Sequence, residues 1–309
     1  MLSRAAERVY WLGRYLERAE STARIVQQYS QLLLDLPDEV GVGWDELVTI
    51  FGARETFHEP KADEKTVLRF LVSDSESPTS LAFSIRMARE NLRNTRDLLP
   101  TESWEAVNEL SQFARRHLGD VSDDDDRFEV LSECIARSLT ICGSLMESMS
   151  HGAPYQFLRL GQALERADMT SRIVDAATAH VRKDPDLVAR FGSELGTNVL
   201  KSVSGFQMYR QYCSPRVEGR QVVSFLTRDT QFPRSIAYCI NRGRKACAAL
   251  PGGDATKAAL DRLAAQLAET PPPTLDAFDV SQIMDRLQSD IGQVHTTVAH
   301  TWFLPDGHQ

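Results

Sequence analysis

Long apolar runs are missing from this 309-residue chain: no stretch approaches the roughly 20 residues that cross a bilayer. The opening segment MLSRAAERVYWLGRYLERAE carries charges through the region where a secretory leader needs an unbroken apolar core. No membrane association is expected, and the cytoplasm is the expected compartment. Cysteine is scarce as well. The five residues Cys134, Cys142, Cys213, Cys239 and Cys247 are odd in number and contain no C-x-x-C pair. That pattern fits buried thiols in a reducing compartment better than a disulfide framework or a zinc site. Positive charge is in deficit, with 35 Lys and Arg against 43 Asp and Glu and a formal net charge of −8. Such a surface exerts no long-range attraction on a phosphate backbone, so nucleic acid is not an expected partner.

Motifs of known chemistry are also lacking. There is no P-loop, no G-x-G-x-x-G, no G-x-S-x-G and no H-E-x-x-H. Carboxylate-bridged metal pairs in helical bundles use Glu-x-x-His on two helices. Here that spacing occurs at Glu55–His58, beside Pro60, and Cys213 stands at the matching place in the second half. No metal and no cofactor is expected. His295 and His300 lie five apart, too far around a helical wheel to share a face, and are read as tolerated helix residues. The acidic run Asp123 to Asp126 is read as a solvated loop before a helix, whose positive end it favours. Alternating patterns long enough for strands are absent.

What is present is a phrase written twice. WLGRYLERAESTARIV (11–26) returns as RLGQALERADMTSRIV (159–174), 148 residues later. FLVSDSESPTSLAFSIRMAR (70–89) returns as FLTRDTQFPRSIAYCINRGR (225–244) at an offset of 155, and RFEV (127–130) is echoed more weakly by AFDV (277–280). Matches in one order at a nearly constant offset imply an internal duplication, with units at 1–149 and 150–309 in a pseudo-twofold relation. Within each unit the spacing is helical: Leu12, Leu16, Ala19, Ala23 and Val26 share one face of a long helix. Ser3 is the expected cap and Pro37 the far boundary. The other prolines divide the chain into helix-length pieces. The expected fold is all-α, a multi-helix bundle of ten to fourteen helices. Cys239 and Cys247, and Trp11, Trp44, Trp104 and Trp302, are assigned to the core.

A packing helix need only repeat its apolar stripe. This one also repeats Gly13, Glu17, Glu20 and Arg24, matched by Gly161, Glu165, Asp168 and Arg172. At 100° per residue those side chains fall within about 60° of one another, a second stripe beside the apolar one. Mid-helix glycine costs about 1 kcal/mol relative to alanine, so its recurrence suggests close packing there. Carboxylates at i and i+3 repel unless a cation lies between them. Arg24 and Arg172 can supply it from i+4, and Arg89 or Arg244 from another helix. Two uses are open: a buried network that fixes helix register, or a polar cavity in each unit holding a charged ligand or peptide end.

MLSRAAERVYWLGRYLERAESTARIV, ARENLRNTRDLLPTESWEAVNEL (88–110), ESMSHGAPYQFLRLGQALERADMTSRIVD (147–175) and RDTQFPRSIAY (228–238) together resemble the bacterial alpha-E domain family. The similarity runs through nearly the whole chain, and the doubled L-E-R-A-[ED]-x-T-x-R is its most specific part. Phe232 departs from it, standing where a small polar residue is expected before Pro-Arg-Ser. The resemblance implies a helical fold with a Glu-Arg motif, which lands on Glu17–Arg18 and Glu165–Arg166, with Arg234 in the accompanying loop. It also implies the company of circularly permuted ATP-grasp proteins and of transglutaminase-like proteases. The expected role is therefore a non-catalytic accessory or scaffold of an ATP-grasp-type amide or peptide ligase. The alternative is an enzyme of amide metabolism using the Glu/Arg stripe as acid–base and anion clamp. Self-association is left open.

Overall fold

The computed structural model describes residues 1–37, 42–121, 124–183, 185–269 and 277–304. Its secondary structure is helical throughout, with thirteen α-helices and no strand among the described residues. Two long helices form the middle: α1 (Ser3–Asp35) and α7 (Ala153–Lys183). They run side by side in the same direction. Tyr10 approaches Gly161, Gly13 approaches Leu158 and Gln162, and Glu17 meets Arg166.

Each long helix carries its own layer of shorter ones. Helices α4 (Leu81–Arg93) and α6 (Asp124–Ser148) pack on α1, with α5 (Thr101–His117) laid across them. On α7 the same places are taken by α11 (Ile236–Ala248) and α13 (Ala277–Val298), with α12 (Asp254–Glu269) packed against both. The halves also exchange contacts. Helix α2 (Asp45–Ile50) rests on α7, and α8 (Pro185–Ser202) rests on α1, where Asn198 donates to the carbonyl of Gln28 at 2.5 Å. The remaining pieces are α3 (Glu64–Leu68), α9 (Phe206–Tyr212) and α10 (Gly219–Arg228).

The loops entering α4 and α11 have the same hydrogen bonds. Ser80 and Ser235 cap the two helices by accepting from the amides of Phe83 and Tyr238. Each serine hydroxyl donates back to the carbonyl of Asp74 or Asp229. The carboxylates of those aspartates accept from amides two and three residues on, in an Asx turn. Pro78 and Pro233 are held with their carbonyls turned toward the long helices.

Several local expectations need correction. Ser3 lies inside α1, whose N-cap is Leu2 without a side-chain bond. Helix α6 begins at Asp124, so the acidic run enters the first turn instead of preceding it; Asp123 lies outside the described residues, as do Pro271 to Pro273. The tryptophans sit half-buried at the edge of the core, because each indole meets a polar group as well as apolar neighbours. Trp302 donates to the carbonyl of Pro251, and guanidinium groups of Arg14, Arg127 and Arg89 lie over Trp11, Trp44 and Trp104. Cys134, Cys239 and Cys247 are buried, but Cys213 is exposed at the end of α9. His295 is more than tolerated: its imidazole stacks on Tyr10 and shares a 2.9 Å hydrogen bond with that phenol. Among the described residues no helix is long and apolar enough to cross a membrane.

Candidate functional site: a Glu-Arg clasp between two parallel helices

The two long helices touch where the side chains are smallest. A Cβ on Gly13 would stand 2.3 Å from the carbonyl oxygen of Leu158, and one on Gly161 would stand 2.1 Å from that of Tyr10. Real side-chain carbons do not approach an oxygen so closely, so only glycine permits this contact. The contact is reciprocal, since Leu158 and Tyr10 each lie three residues before the glycine of their own helix. Mid-helix glycine is thus explained by proximity of backbone to backbone.

One turn further on, the glutamates cross. Glu17 of α1 accepts from Nε and Nη2 of Arg166 on α7, both at 2.6 Å. Glu165 of α7 accepts from Nε and Nη2 of Arg18 on α1, at 2.5 and 3.0 Å. Each Glu-Arg dipeptide therefore grips the other. The spacing makes this possible: consecutive residues project about 100° apart, so Glu points at the partner helix while Arg reaches around its flank. Each clasping arginine is tied down by the loop behind it, Arg18 donating to the carbonyl of Pro78 and Arg166 to that of Pro233, both at 3.3 Å.

A second arginine joins each glutamate, from a different place in each half. Arg14 donates to Glu165 at 2.6 Å from one turn earlier on α1. Arg234, from the loop before α11, reaches Glu17 at 3.2 Å and Glu20 at 2.7 Å, bridging the two carboxylates of α1. Arg24 also pairs with Glu20, and Arg172 with Asp168 at 2.9 Å, both from i+4. The stripes thus form one shared interface, not a cavity in each unit. Arg89 and Arg244 do not take part. Arg89 donates to Asn108 and lies over Trp104, while Arg244 pairs with Asp261. Their helices turn them toward α5 and α12, away from the stripe. Arg14 escaped sequence reasoning because it lies outside the repeated stripe and its counterpart is Gln162.

The clasp glutamates are closed to solvent: Glu17 is 2% exposed and Glu165 1% exposed. Burial by itself would raise the Glu165 pKa, but Arg18 and Arg14 overcome it and hold the carboxyl at about 2. Glu20 is likewise lowered, because Arg234 and Arg24 outweigh its desolvation. Burial pulls Arg14, Arg18 and Arg166 down, yet their glutamates hold all three above the usual guanidinium value. Two thiols lie beside the clasp, and burial pushes Cys142 and Cys239 up to about 12, so neither is a thiolate at neutral pH. Phe232 is buried against Phe225 in a stacked pair at 4.7 Å and serves packing. Among the described residues no group of three His, Cys, Asp or Glu side chains is placed to hold a metal ion.

Two crossed Glu-Arg dipeptides join the halves of an all-helical chain. This chain belongs to the Alpha-E family. That family, described as a predicted alpha-helical domain with a conserved ER motif, matches residues 1–303. Among curated proteins the chain is similar to an uncharacterized protein of Mycobacterium bovis and to two from strains of Mycobacterium tuberculosis. Each is 23% identical over 317 residues, covering 94% of this chain and 35% of the relative. The chain therefore spans about a third of the length of these relatives. No solved structure matches it. In this member of the Alpha-E family, the two Glu-Arg dipeptides fasten α1 to α7.

Proposed function

We propose that this Alpha-E chain is a non-catalytic helical accessory that scaffolds, or presents substrate to, an ATP-grasp-type amide or peptide ligase. The observation that carries the non-catalytic reading is the closure of the clasp. A general acid or base must be reachable by the proton it moves. Glu17 and Glu165 are sealed and each is bound by two arginines. Held near 2, Glu165 is also a poor base at neutral pH. The alternative, with the stripe as an acid–base site and anion clamp in amide metabolism, needs at least one carboxylate open to substrate.

The mycobacterial relatives are consistent with an accessory role, because there the matching region is one part of a longer polypeptide. The choice of a circularly permuted ATP-grasp protein as partner follows from the resemblance in sequence, and a transglutaminase-like protease is a second candidate partner in the cytoplasm. The test is co-expression of the tagged chain with the ATP-grasp protein of its own genome. Co-elution at about 1 μM with an increase in ligation rate supports the reading; separate elution with unchanged ligation overturns it.

A further inference from the structure

The two halves differ on one flank of the clasp. On α1 that flank is filled by aromatic rings. Trp11 stacks on Tyr15 at 5.3 Å, Tyr15 meets Phe83 at 6.1 Å, and the Arg14 and Arg18 guanidinium groups lie over Trp11 and Tyr15. At the matching positions of the second half, Arg159 replaces Trp11, Gln162 replaces Arg14, Ala163 replaces Tyr15, Tyr238 replaces Phe83 and Arg242 replaces Met87. Losing the Tyr15 ring at Ala163 leaves a cleft. The space between its walls is about 220 Å³ with the open solvent at its mouth included, and it is lined by Arg159, Gln162, Arg166, Tyr238, Cys239 and Arg242 among others.

Charge in this cleft is uncompensated. Arg166 is neutralised by Glu17. Arg159 and Arg242 form no ion pair among the described residues, although the chain as a whole carries a net charge of −8. Arg242 donates to the phenol of Tyr155 at 3.2 Å. Arg159 uses the weak acceptor Sδ of Met146, at 2.8 Å, and the side-chain oxygen of Gln162 at 3.2 Å, while its buried Nε has no partner. A buried donor left unmade costs free energy unless something arrives to accept from it. Burial and the neighbouring charges of Arg242 and Arg166 lower the Arg159 pKa, the opposite of what Glu17 does for Arg166.

We propose that the cleft bounded by Arg159, Gln162, Arg166, Tyr238 and Arg242 binds an oxyanion, the carboxylate or phosphate end of a small ligand. Guanidinium forks match both groups bidentately, and Tyr238 in the cleft wall adds a hydroxyl, while the buried Gln162 amide is committed to Cys142 and Arg159. The interior has room for little more than one water-sized atom, so a single oxygen of the anion enters it while the rest of the group lies across the guanidinium groups at the mouth and the remainder of the ligand stays outside. The site requires neither a ligase nor any other protein partner, so it stands or falls apart from the accessory role.

The test is calorimetric titration of the full chain at constant ionic strength with three probes: inorganic phosphate, N-acetyl-Ala-Ala, and its C-terminal amide as the uncharged control. One site per chain is expected, filled by phosphate or by the free carboxylate and not by the amide; whichever anion binds more tightly identifies the source. Arg242→Gln and Arg159→Gln should each weaken binding by about tenfold or more, since each removes a charge-assisted donor. Ala163→Tyr, which restores the ring present in the other half, should abolish it. Arg93→Gln, at an exposed arginine paired with Glu90, should bind like wild type. Thermal melting of each variant without ligand establishes that it is folded. Arg242→Gln should melt at or above the wild-type temperature, because it relieves repulsion with Arg159. No saturable binding of either anion by wild type up to about 10 mM overturns the proposal. So does binding that survives unchanged in folded Arg242→Gln and Ala163→Tyr.

Discussion

At the scale of single residues, the clasp concentrates opposite charges where water cannot reach them. Two such ions attract strongly but each has lost its hydration, so a buried pair adds little net stability while removing one partner costs much. Glu165→Ala leaves Arg14 and Arg18 facing each other and should destabilise the chain by about 3–5 kcal/mol. At about 2–4 °C per kcal/mol for chains of this order of size, the melting temperature should fall by roughly 6–20 °C. Glu17→Ala should behave alike, with Arg166 left without its carboxylate and Arg234 holding Glu20 alone. Glu90→Ala, at an exposed pair away from the clasp, is the comparison and should shift stability by less than about 1 kcal/mol. Acid provides a second handle. The Glu165 carboxyl titrates near 4.5 when unfolded and about 2 when folded. Its contribution is therefore complete above pH 4.5 and is lost as pH falls toward 2, on the order of 3 kcal/mol. His295 acts in an earlier window. Burial and Arg14 lower it from 6.5 to about 4, so the folded state holds it neutral and loses stability between those values as the unfolded chain takes up protons first. Urea midpoints measured from pH 7 to 2 should show both slopes, the first reduced in His295→Asn and the second reduced in Glu165→Gln, where Glu20 still contributes.

For the helices as elements, glycine provides a test in which propensity and packing predict opposite signs. Alanine is the better helix former by about 1 kcal/mol, so glycine to alanine in an exposed helix stabilises. Gly292 in α13 is exposed with no heavy atom within 4 Å of a built Cβ, and Gly292→Ala should gain about 0.5–1 kcal/mol. Gly161→Ala should do the reverse. Its methyl group would collide with the backbone of α1, which has no flexible end to move aside, and the cost should be about 1–3 kcal/mol. Gly13→Ala meets the same obstacle on α7. If Gly161→Ala and Gly292→Ala shift the denaturation midpoint in the same direction, the close approach of the two helices is wrong.

Across the whole molecule, the clasp makes the halves depend on each other. Residues 1–149 alone would expose the glycine face of α1 and leave Glu17 without Arg166 and Arg234. They would also lose the support of α8 against α1. Fragment 1–149 should therefore show helical circular dichroism but no cooperative melt, and co-expression with 150–309 should restore one. A cooperative melt of the isolated fragment would show that the interface contributes little to either half.

The all-α class, the long first helix and the repeated polar stripe are legible in the chain itself because they are local. Periodicity, capping and propensity act over a few residues, and Leu12, Leu16 and Ala19 carry that signal whatever surrounds them. The i+4 pairs of Arg24 and Arg172 are legible for the same reason. The crossing of the Glu-Arg dipeptides is not, because residues 147 and 149 apart meet only when two helices lie parallel, and nothing local states that they do. Arg234 bridges Glu17 and Glu20 from a loop more than 200 residues away, whereas Arg89 and Arg244, equally plausible by sequence, are turned aside by the faces their helices bury. The same holds for the cleft. Ala163 for Tyr15 reads as one more apolar exchange until the rings around Tyr15 are seen to fill the space that Arg159 and Arg242 leave open. Side-chain identity sets which bonds can form; long-range packing, through steric fit and the exclusion of water, selects the ones that do.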